Sequence, residues 1–194
     1  MSVELVVPAA AHTKPFLAAV ARSRRLHGRW VKAPANAMEY AAYVRRLRQD
    51  SYCGYLVVTA DGAIAGVINI NEIVRGSFCS GYLGYYAFVP HQGKGYMSEG
   101  LRQVVDRAFS RLALHRLEAN IQPGNRASRR LVEGVGFRLE GYSERYLKIA
   151  GRWRDHERWA LTAEDWAPTP RGRNGAGRRE RSARARNFSR NPRP

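Results

Sequence analysis

A glycine-rich turn is the segment of this sequence whose residue types and spacing point most directly to chemistry. It reads Gln92-Gly93-Lys94-Gly95, and it lies where an apolar strand ending near Val89 gives way to an amphipathic helix beginning at Tyr96. Glycines at a helix start let consecutive backbone N–H groups point into one concavity, where the helix dipole adds positive potential. The turn therefore predicts a site for an anionic pyrophosphate, although Gly-x-Gly alone also fits a structural turn. It is not a P-loop, because no Lys-Ser or Lys-Thr pair follows at the required spacing.

The elements that must position this turn alternate between strands and helices. Apolar periodicities predict them in the order strand, two helices, three antiparallel strands, helix, strand, helix and two strands. The predicted bounds are 2–8, 13–25, 36–49, 52–59, 64–74, 79–89, 96–112, 115–121, 125–135, 137–149 and 152–162. The strand–helix–strand unit across 79–121 predicts two parallel strands. We therefore expect an α/β (α+β) fold, with a mixed, mostly antiparallel sheet of about seven strands, flanking helices and a central parallel strand pair.

The positive charge is distributed unevenly along the chain. The 194 residues include 33 Lys and Arg against 16 Asp and Glu, a formal net charge of +17. Residues 168–194 contain nine Arg, one Glu and no Leu, Ile, Val or Met, so they carry +8 and leave +9 on residues 1–167. Such a segment buries too little apolar surface to offset its ordering entropy, and we expect a disordered basic Arg/Gly/Pro-rich tail after a folded domain at 1–167. The nine arginines are consistent with binding to RNA phosphates. They are equally consistent with a solvated tail that has no function.

Composition and cysteine content restrict the class of protein. The chain is 44% hydrophobic and 25% charged, which is typical of a globular protein. No apolar run approaches the ~20 residues that span a bilayer, and the N-terminal residues lack the basic and apolar regions of a secretory signal. Cys53 and Cys79 are too few for a disulfide framework or a Cys-rich zinc site, and no other cluster has metal-ligand spacing. We therefore expect a cytoplasmic protein with no metal and no membrane contact.

Further motifs follow the glycine-rich turn and, together with it, carry a family resemblance. They are HRLEAN at 115–120, PGNRAS at 123–128 and GF at 136–137, supported by NINEIVRG at 69–76 and YLKIAGRWRDH at 146–156. The combination resembles the GNAT acetyltransferase superfamily, in particular its ribosomal-protein-alanine N-acetyltransferase (RimJ-like) branch, over roughly residues 3–167. The resemblance implies an acyltransferase that moves an acetyl group from acetyl-CoA directly to an amine. In this branch the acceptor is the N-terminal α-amino group of a protein, plausibly a ribosomal one.

The resemblance also implies which residues hold acetyl-CoA. Backbone contacts from Phe88 and Val89 would serve the pantetheine arm, which Asn125 would also reach, and an amide near Val89 would serve the developing oxyanion. The pyrophosphate would be bound by the turn and the helix start, namely Gln92, Gly93, Lys94, Gly95, Tyr96 and Met97. Met97 departs from the family, which usually has Gly or Ala at this position. We expect its apolar side chain to be tucked away, so that the backbone N–H still donates.

Glu72 is our candidate for the base that takes a proton from the acceptor amine. An α-amino group has a pKa of about 8, so a modest base suffices near neutral pH. Strand alternation places Glu72 on an apolar face, where a desolvated carboxylate would be a stronger base. The other side chains on that face are Ile64, Ile68, Ile70 and Val74. A strand-end ion pair with Arg75 is the alternative, and Glu118 is a second candidate for which we favour a structural ion pair.

Ser128 is our candidate for stabilising the thiolate leaving group. It falls in the first turn of the helix predicted after Asn125, where its hydroxyl would either hydrogen-bond the sulfur or serve backbone groups at the helix start. Tyr142 and Tyr146 are alternative proton donors, although tyrosines in strands more often serve packing.

No arrangement of residues predicts a covalent acyl-enzyme. Cys53 fits a packed strand residue rather than a nucleophile. We expect His91 to be solvated at the mouth of the turn and His156 to make a satisfied hydrogen bond, so neither is assigned a base role. Direct transfer is therefore the expected mechanism.

Two alternative functions remain open at this point. In the first alternative, the protein is an acetyltransferase whose acceptor is a small-molecule amine. The fold does not exclude this, because one fold serves enzymes with different substrates. A polycationic amine should prefer an acidic cleft, however, and residues 1–167 carry +9. The second alternative is a non-enzymatic RNA- or ribosome-binding module that uses the basic tail. The sequence leaves the acceptor's identity and the oligomeric state undetermined.

Overall fold

A computed structural model of the chain describes residues 2–28, 30–149 and 151–166, and the predicted tail at 168–194 lies outside them. A short 3-10 turn at Ala10–His12 precedes the first helix. The strands are β1 (Val3–Val6), β2 (Cys53–Thr59), β3 (Ile64–Val74), β4 (Ser80–Ala87), β5 (Arg116–Ile121), β6 (Arg138–Ile149) and β7 (Arg152–Thr162). The helices are α1 (Thr13–His27), α2 (Ala37–Arg46), α3 (Tyr96–Ser110) and α4 (Arg126–Val135). The predicted order of elements is confirmed.

The strands form one mixed sheet with the order β1-β2-β3-β4-β5-β7-β6. Neighbouring strands are antiparallel except β4 and β5, which are parallel. Apolar side chains of α1 and α2 pack on one face of the sheet, and those of α3 and α4 pack on the other. The predicted seven-stranded sheet with its central parallel pair is therefore confirmed. No helix in the described ranges is long and apolar enough to span a bilayer.

The parallel pair separates partway along its length. The pairing of β4 with β5 joins Ser80–Tyr82 to Arg116–Glu118 and stops there. Beyond that point β4 continues to Ala87 against β3, and β5 continues to Ile121 against β7. The two strands therefore diverge, and within the described ranges no strand pairs with the far end of β4 on the side that faces β5.

Candidate active site

A cleft with a volume of about 540 Å³ lies beside the unpaired end of β4. Its walls are the end of α1 and the loop that follows, the last three residues of β4, the glycine-rich turn and the first half of α4. This volume is in the range of small-molecule sites. No Asp or Glu is among the described residues that line it. Within the described residues there is also no group of three or more His, Cys, Asp or Glu side chains that could hold a metal ion.

The glycine-rich turn presents a run of unused backbone donors. Gly93 has a φ of 72° and Gly95 a φ of 80°, both in the left-handed region that favours glycine. The first hydrogen bond of α3 is from the Glu99 N–H to the Gly95 carbonyl at 3.0 Å, and no side chain caps the helix. The N–H groups from Gln92 to Ser98 donate to no group in the described ranges. Such a set of convergent donors at a helix N-terminus fits a pyrophosphate.

Met97 lies in the first turn of α3 and is among the residues that line the cleft. Its side chain packs on the core, over Gly66 of β3. A Cβ added to Gly66 would lie 2.3 Å from Met97 Sδ and 2.6 Å from the Tyr86 carbonyl oxygen. The expected tucked position of Met97 is therefore confirmed, and it depends on the missing side chain at Gly66.

The backbone N–H groups of Phe88 and Val89, at the end of β4, are both engaged within the protein. The N–H of Phe88 donates to the Ala65 carbonyl of β3 at 2.7 Å, and the Phe88 side chain is fully buried. The N–H of Val89 donates to Ser23 Oγ of α1 at 3.0 Å. Neither amide is available to a ligand. Contacts of pantetheine with the N–H groups of Phe88 and Val89 themselves are therefore not supported, and an oxyanion donor near Val89 has to be another amide.

The N–H groups of Tyr85 and Ala87 are available instead. Successive N–H groups of a strand point to opposite sides, and the bond from Phe88 to β3 fixes which side each one takes. The N–H groups of Tyr85 and Ala87 accordingly point away from β3, towards the space that β5 has left. Free backbone donors therefore lie one and three residues before Phe88 on β4.

Ser128 belongs to a hydroxyl pair in the cleft wall. Its Oγ lies 2.6 Å from the hydroxyl oxygen of Tyr85, and its backbone N–H donates to Asn125 Oδ1 at 3.2 Å. The predicted cap of α4 by Asn125 is confirmed, and Gly136 ends that helix with a φ of 110°. Burial raises the pKa of Tyr85, so its hydroxyl stays protonated at neutral pH. The structure therefore adds Tyr85, which sequence reasoning missed.

The expected position of Glu72 on a buried apolar face is wrong. Register shifts between Asn71 and Val74, and Glu72 has a φ of 48°, so alternation along β3 is broken before the strand ends. The Glu72 side chain is exposed and accepts a hydrogen bond from the Tyr52 hydroxyl at 2.5 Å. The alternative partner, Arg75, donates instead to the Leu112 carbonyl.

Glu72 is also at the wrong end of β3. Asn71 pairs with Tyr82 of β4, whereas Gly66 pairs with Ala87 beside the cleft. Five residues of strand separate the two positions, which is about 17 Å at the rise of a β-strand. Glu72 is not among the residues that line the cleft. The geometry therefore does not support Glu72 as the base.

We expect Glu72→Gln to leave the rate of acetyl transfer within about twofold of the unmodified enzyme, because the carboxylate is remote from the cleft and the glutamine retains an acceptor for Tyr52. Steady-state rates of thiol release for the two proteins provide the measurement. A decrease in the rate of about tenfold or more would indicate that Glu72 takes part in catalysis despite its position.

The remaining candidates have structural partners. Glu118 is buried and forms ion pairs with Arg116 at 2.9 Å and Arg158 at 3.0 Å, so the favoured structural pairing is confirmed. His156 is buried and donates from Nδ1 to the Arg154 carbonyl at 3.0 Å, so its expected satisfied hydrogen bond is also confirmed.

Three further side chains depart from the expectations in different ways. Tyr142 donates to Asp155 at 2.8 Å, and neither it nor Tyr146 lines the cleft. His91 does line the cleft, where its ring contacts Tyr96 at 5.7 Å between centroids instead of being fully solvated. Tyr142 and Tyr146 thus lie outside the cleft lining, whereas the hydroxyl pair of Ser128 and Tyr85 is part of it.

His27 is a second residue that sequence reasoning missed. Helix α1 runs to His27, beyond its predicted end at residue 25, and this brings the ring into the cleft wall. Its Nε2 donates to the Ala87 carbonyl at 2.9 Å. Burial lowers the pKa of His27, with the bond to Ala87 acting in the opposite direction. The four-residue spacing from Ser23, also buried on α1, was the signal available in the sequence.

Comparison with known proteins identifies the class to which this fold and cleft belong. Residues 3–138 match the family described as acetyltransferase (GNAT) domain, and the chain belongs to that family. The probable N-acetyltransferase YjcK of Bacillus subtilis is 39% identical over 124 residues, which cover 63% of this chain and 68% of that protein. The [ribosomal protein uS5]-alanine N-acetyltransferase of Escherichia coli is 45% identical over 105 residues, 54% of each protein. The chain thus spans about half the length of this relative.

A solved structure of the same fold gives a similar result. RimJ of Mycobacterium smegmatis, in complex with CoA-disulfide, superposes with a TM-score of 0.77 and 26% sequence identity. The match covers 84% of this chain and 82% of that one. The resemblance predicted from the sequence motifs is therefore confirmed at the level of family and fold.

Proposed function

We propose that this protein is an acetyl-CoA-dependent N-acetyltransferase that transfers the acetyl group directly to an amine, namely the N-terminal α-amino group of a protein. The observation that carries the proposal is the run of unused N–H groups from Gln92 to Ser98 beside an open strand edge. The relative named as [ribosomal protein uS5]-alanine N-acetyltransferase supports a ribosomal protein as the acceptor. Such a substrate places the enzyme in the cytoplasm.

The cleft offers separate groups for the two ends of acetyl-CoA. The turn from Gln92 to Ser98 would bind the pyrophosphate through backbone N–H groups, and Lys94 adds a complementary charge. The open edge of β4 at Tyr85 would bind the amide-containing pantetheine arm as a further strand would, which leaves the Ala87 N–H for the acetyl end. Asn125 stands in the cleft wall opposite and completes the contacts.

Acetyl-CoA supplies an activated acetyl group as a thioester, and the protein has to stabilise the charge that moves during transfer. The Ala87 N–H is the donor placed for the carbonyl oxygen as it becomes negative. The Ser128 hydroxyl donates to the departing sulfur, and the protonated Tyr85 hydroxyl 2.6 Å away supports it. These roles need no covalent enzyme intermediate.

The net charge of residues 1–167 bears on the acceptor, because it is +9. A polyamine carries several positive charges and would be recognised by acidic side chains. An α-amino group has a pKa of about 8, so about a tenth of it is neutral at pH 7 without any dedicated base. The positive charge therefore favours an N-terminal amine over a polycationic one.

Release of free thiol tests the proposal. The protein is incubated with acetyl-CoA and three kinds of acceptor, which are peptides starting with the N-terminal residues of ribosomal protein uS5, unrelated N-terminal peptides, and small amines including spermidine. We expect release with an N-terminal peptide and a mass increase of one acetyl group at its α-amine. Release with small amines alone would transfer the assignment to them, and tight acetyl-CoA binding without release would favour a binding module.

For the segment 168–194 we propose a separate role in RNA contact, based on its nine arginines. Truncation after residue 167 should leave thiol release with peptides unchanged and should weaken association with ribosomes, with a shallower dependence on salt concentration. Cosedimentation with ribosomes at several salt concentrations provides the measurement. Equal association of the two proteins would exclude the proposed role.

A further inference from the structure

The end of β4 presents backbone groups for which β5 provides no partner. β4 and β5 pair only as far as Tyr82 and Glu118. Because the Phe88 N–H points towards β3, the groups of Ala87 and Val89 point to the side that β5 has left. A further strand would ordinarily bond to these groups, and a buried backbone group without a partner costs free energy.

Helix α1 supplies two of the missing partners through its side chains. His27 Nε2 lies 2.9 Å from the Ala87 carbonyl oxygen, and Ser23 Oγ lies 3.0 Å from the Val89 backbone nitrogen. Ser23 and His27 are four residues apart and so share one face of the helix. Ser23 Oγ donates its own proton to the Ala19 carbonyl at 2.7 Å, which leaves a lone pair for the Val89 N–H.

The orientation of these two side chains is fixed. A carbonyl oxygen can only accept, so Nε2 of His27 carries the proton in its bond to Ala87. The His27 ring packs against the rings of Tyr86 and Phe88, with centroids 5.3 Å and 5.7 Å away. His27 is 6% exposed, and Ser23 is 0% exposed. Both side chains are therefore packed in place, and the two bonds are partly buried.

We infer that Ser23 and His27 are positioning residues for acetyl transfer, which hold the end of β4 so that the Ala87 N–H faces the cleft. His27 fixes the peptide group that follows Ala87, and Ser23 fixes the next one along the chain. Among the described residues, no group then accepts from the Ala87 N–H. The inference deepens the proposed function and rests on it for the identity of the reaction. Neither residue needs to touch the reacting atoms.

Two pairs of variants test this inference through activity. His27→Phe keeps a ring and removes the donor, whereas His27→Gln retains an N–H at a similar reach. Ser23→Ala removes the acceptor for Val89, and Ser110→Ala is its matched control. Ser110 Oγ also donates to the carbonyl four residues earlier, that of Asp106 at 2.6 Å, but it lies at the exposed end of α3.

We expect His27→Phe and Ser23→Ala each to lower kcat about tenfold, because small displacements of a catalytic donor have large effects on rate. The KM for acetyl-CoA should stay within about twofold, since the pyrophosphate turn is separate. His27→Gln should recover kcat to within about threefold, and Ser110→Ala should match the unmodified enzyme. Equal losses in His27→Phe and His27→Gln, or unchanged kcat in both His27→Phe and Ser23→Ala, would overturn the inference.

A measurement on the free protein separates this inference from the proposed function. Amide hydrogen exchange followed by NMR should show a protected Val89 N–H in the unmodified protein, with exchange at least about tenfold faster in Ser23→Ala. Nitrogen-15 spectra should show His27 as the neutral Nε2–H tautomer at pH 7. If no acceptor releases thiol but both signatures are present, the reaction is misassigned and the positioning contacts stand. Unprotected Val89 or the other tautomer would overturn the contacts themselves.

Discussion

Replacing Ser128 by alanine is expected to lower kcat about 100-fold and to leave the KM for acetyl-CoA within about twofold, the pattern of a lost proton donor. The Ser128 hydroxyl is 2.6 Å from the Tyr85 hydroxyl in the cleft wall. Its backbone N–H, and not its side chain, bonds to the capping Asn125, so the alanine variant keeps the start of α4 intact. Steady-state kinetics at varied acetyl-CoA concentration, with circular dichroism to verify folding, provide the measurement.

Two variants control the interpretation of Ser128→Ala. Ser128→Thr retains a hydroxyl and should keep most of the activity, because the donor remains on the same first turn of α4. Tyr85→Phe leaves Ser128 with its proton but removes the supporting hydroxyl, and it should lower kcat about fivefold, the effect of one hydrogen bond. If Ser128→Ala reduces kcat no more than Tyr85→Phe does, the hydroxyl only supports packing or the helix start, and another group serves the leaving thiolate.

The fold could be predicted because its determinants are local. Alternating apolar residues mark the strands, Asn125 and Gly136 mark the ends of α4, and the stretch between β4 and β5 has the length of a helical crossover. The glycine-rich turn could be predicted in the same way, since Gly93 and Gly95 signal backbone conformations that other residues rarely adopt. These features needed no knowledge of what packs against them.

Other parts of the site could not be predicted, because tertiary structure decides them. Glu72 was misplaced since a bulge at a non-glycine residue leaves no mark in the apolar pattern, yet it reverses which face a side chain takes. Tyr85 and His27 line the cleft only because β4 and β5 diverge and the end of α1 packs beside the gap between them. The alternation of apolar residues shows which side chains of a strand are buried. It does not show at which residue the neighbouring strand stops pairing with it.

Replacing Gly95 by valine is expected to raise the KM for acetyl-CoA about 100-fold, the effect of losing two hydrogen bonds to a charged group. Gly95 has a φ of 80°, a conformation that a β-branched residue does not adopt without strain. The variant should relax by rotating the peptide groups around position 95. Several of the N–H groups between Gln92 and Ser98 would then no longer converge, so binding falls while the chemical step at Ser128 is preserved.

Gly62→Val is the matched control, because it introduces the same side chain at the same φ, at a residue that does not line the cleft. Gly62 also has a φ of 80°, it lies in the turn between β2 and β3, and an added Cβ there meets nothing within 4 Å. Backbone strain alone should destabilise both variants by a similar amount in urea denaturation. Only Gly95→Val should weaken acetyl-CoA binding by calorimetry. If both variants lose affinity equally, the loss reflects general strain, and the turn cannot be the pyrophosphate site.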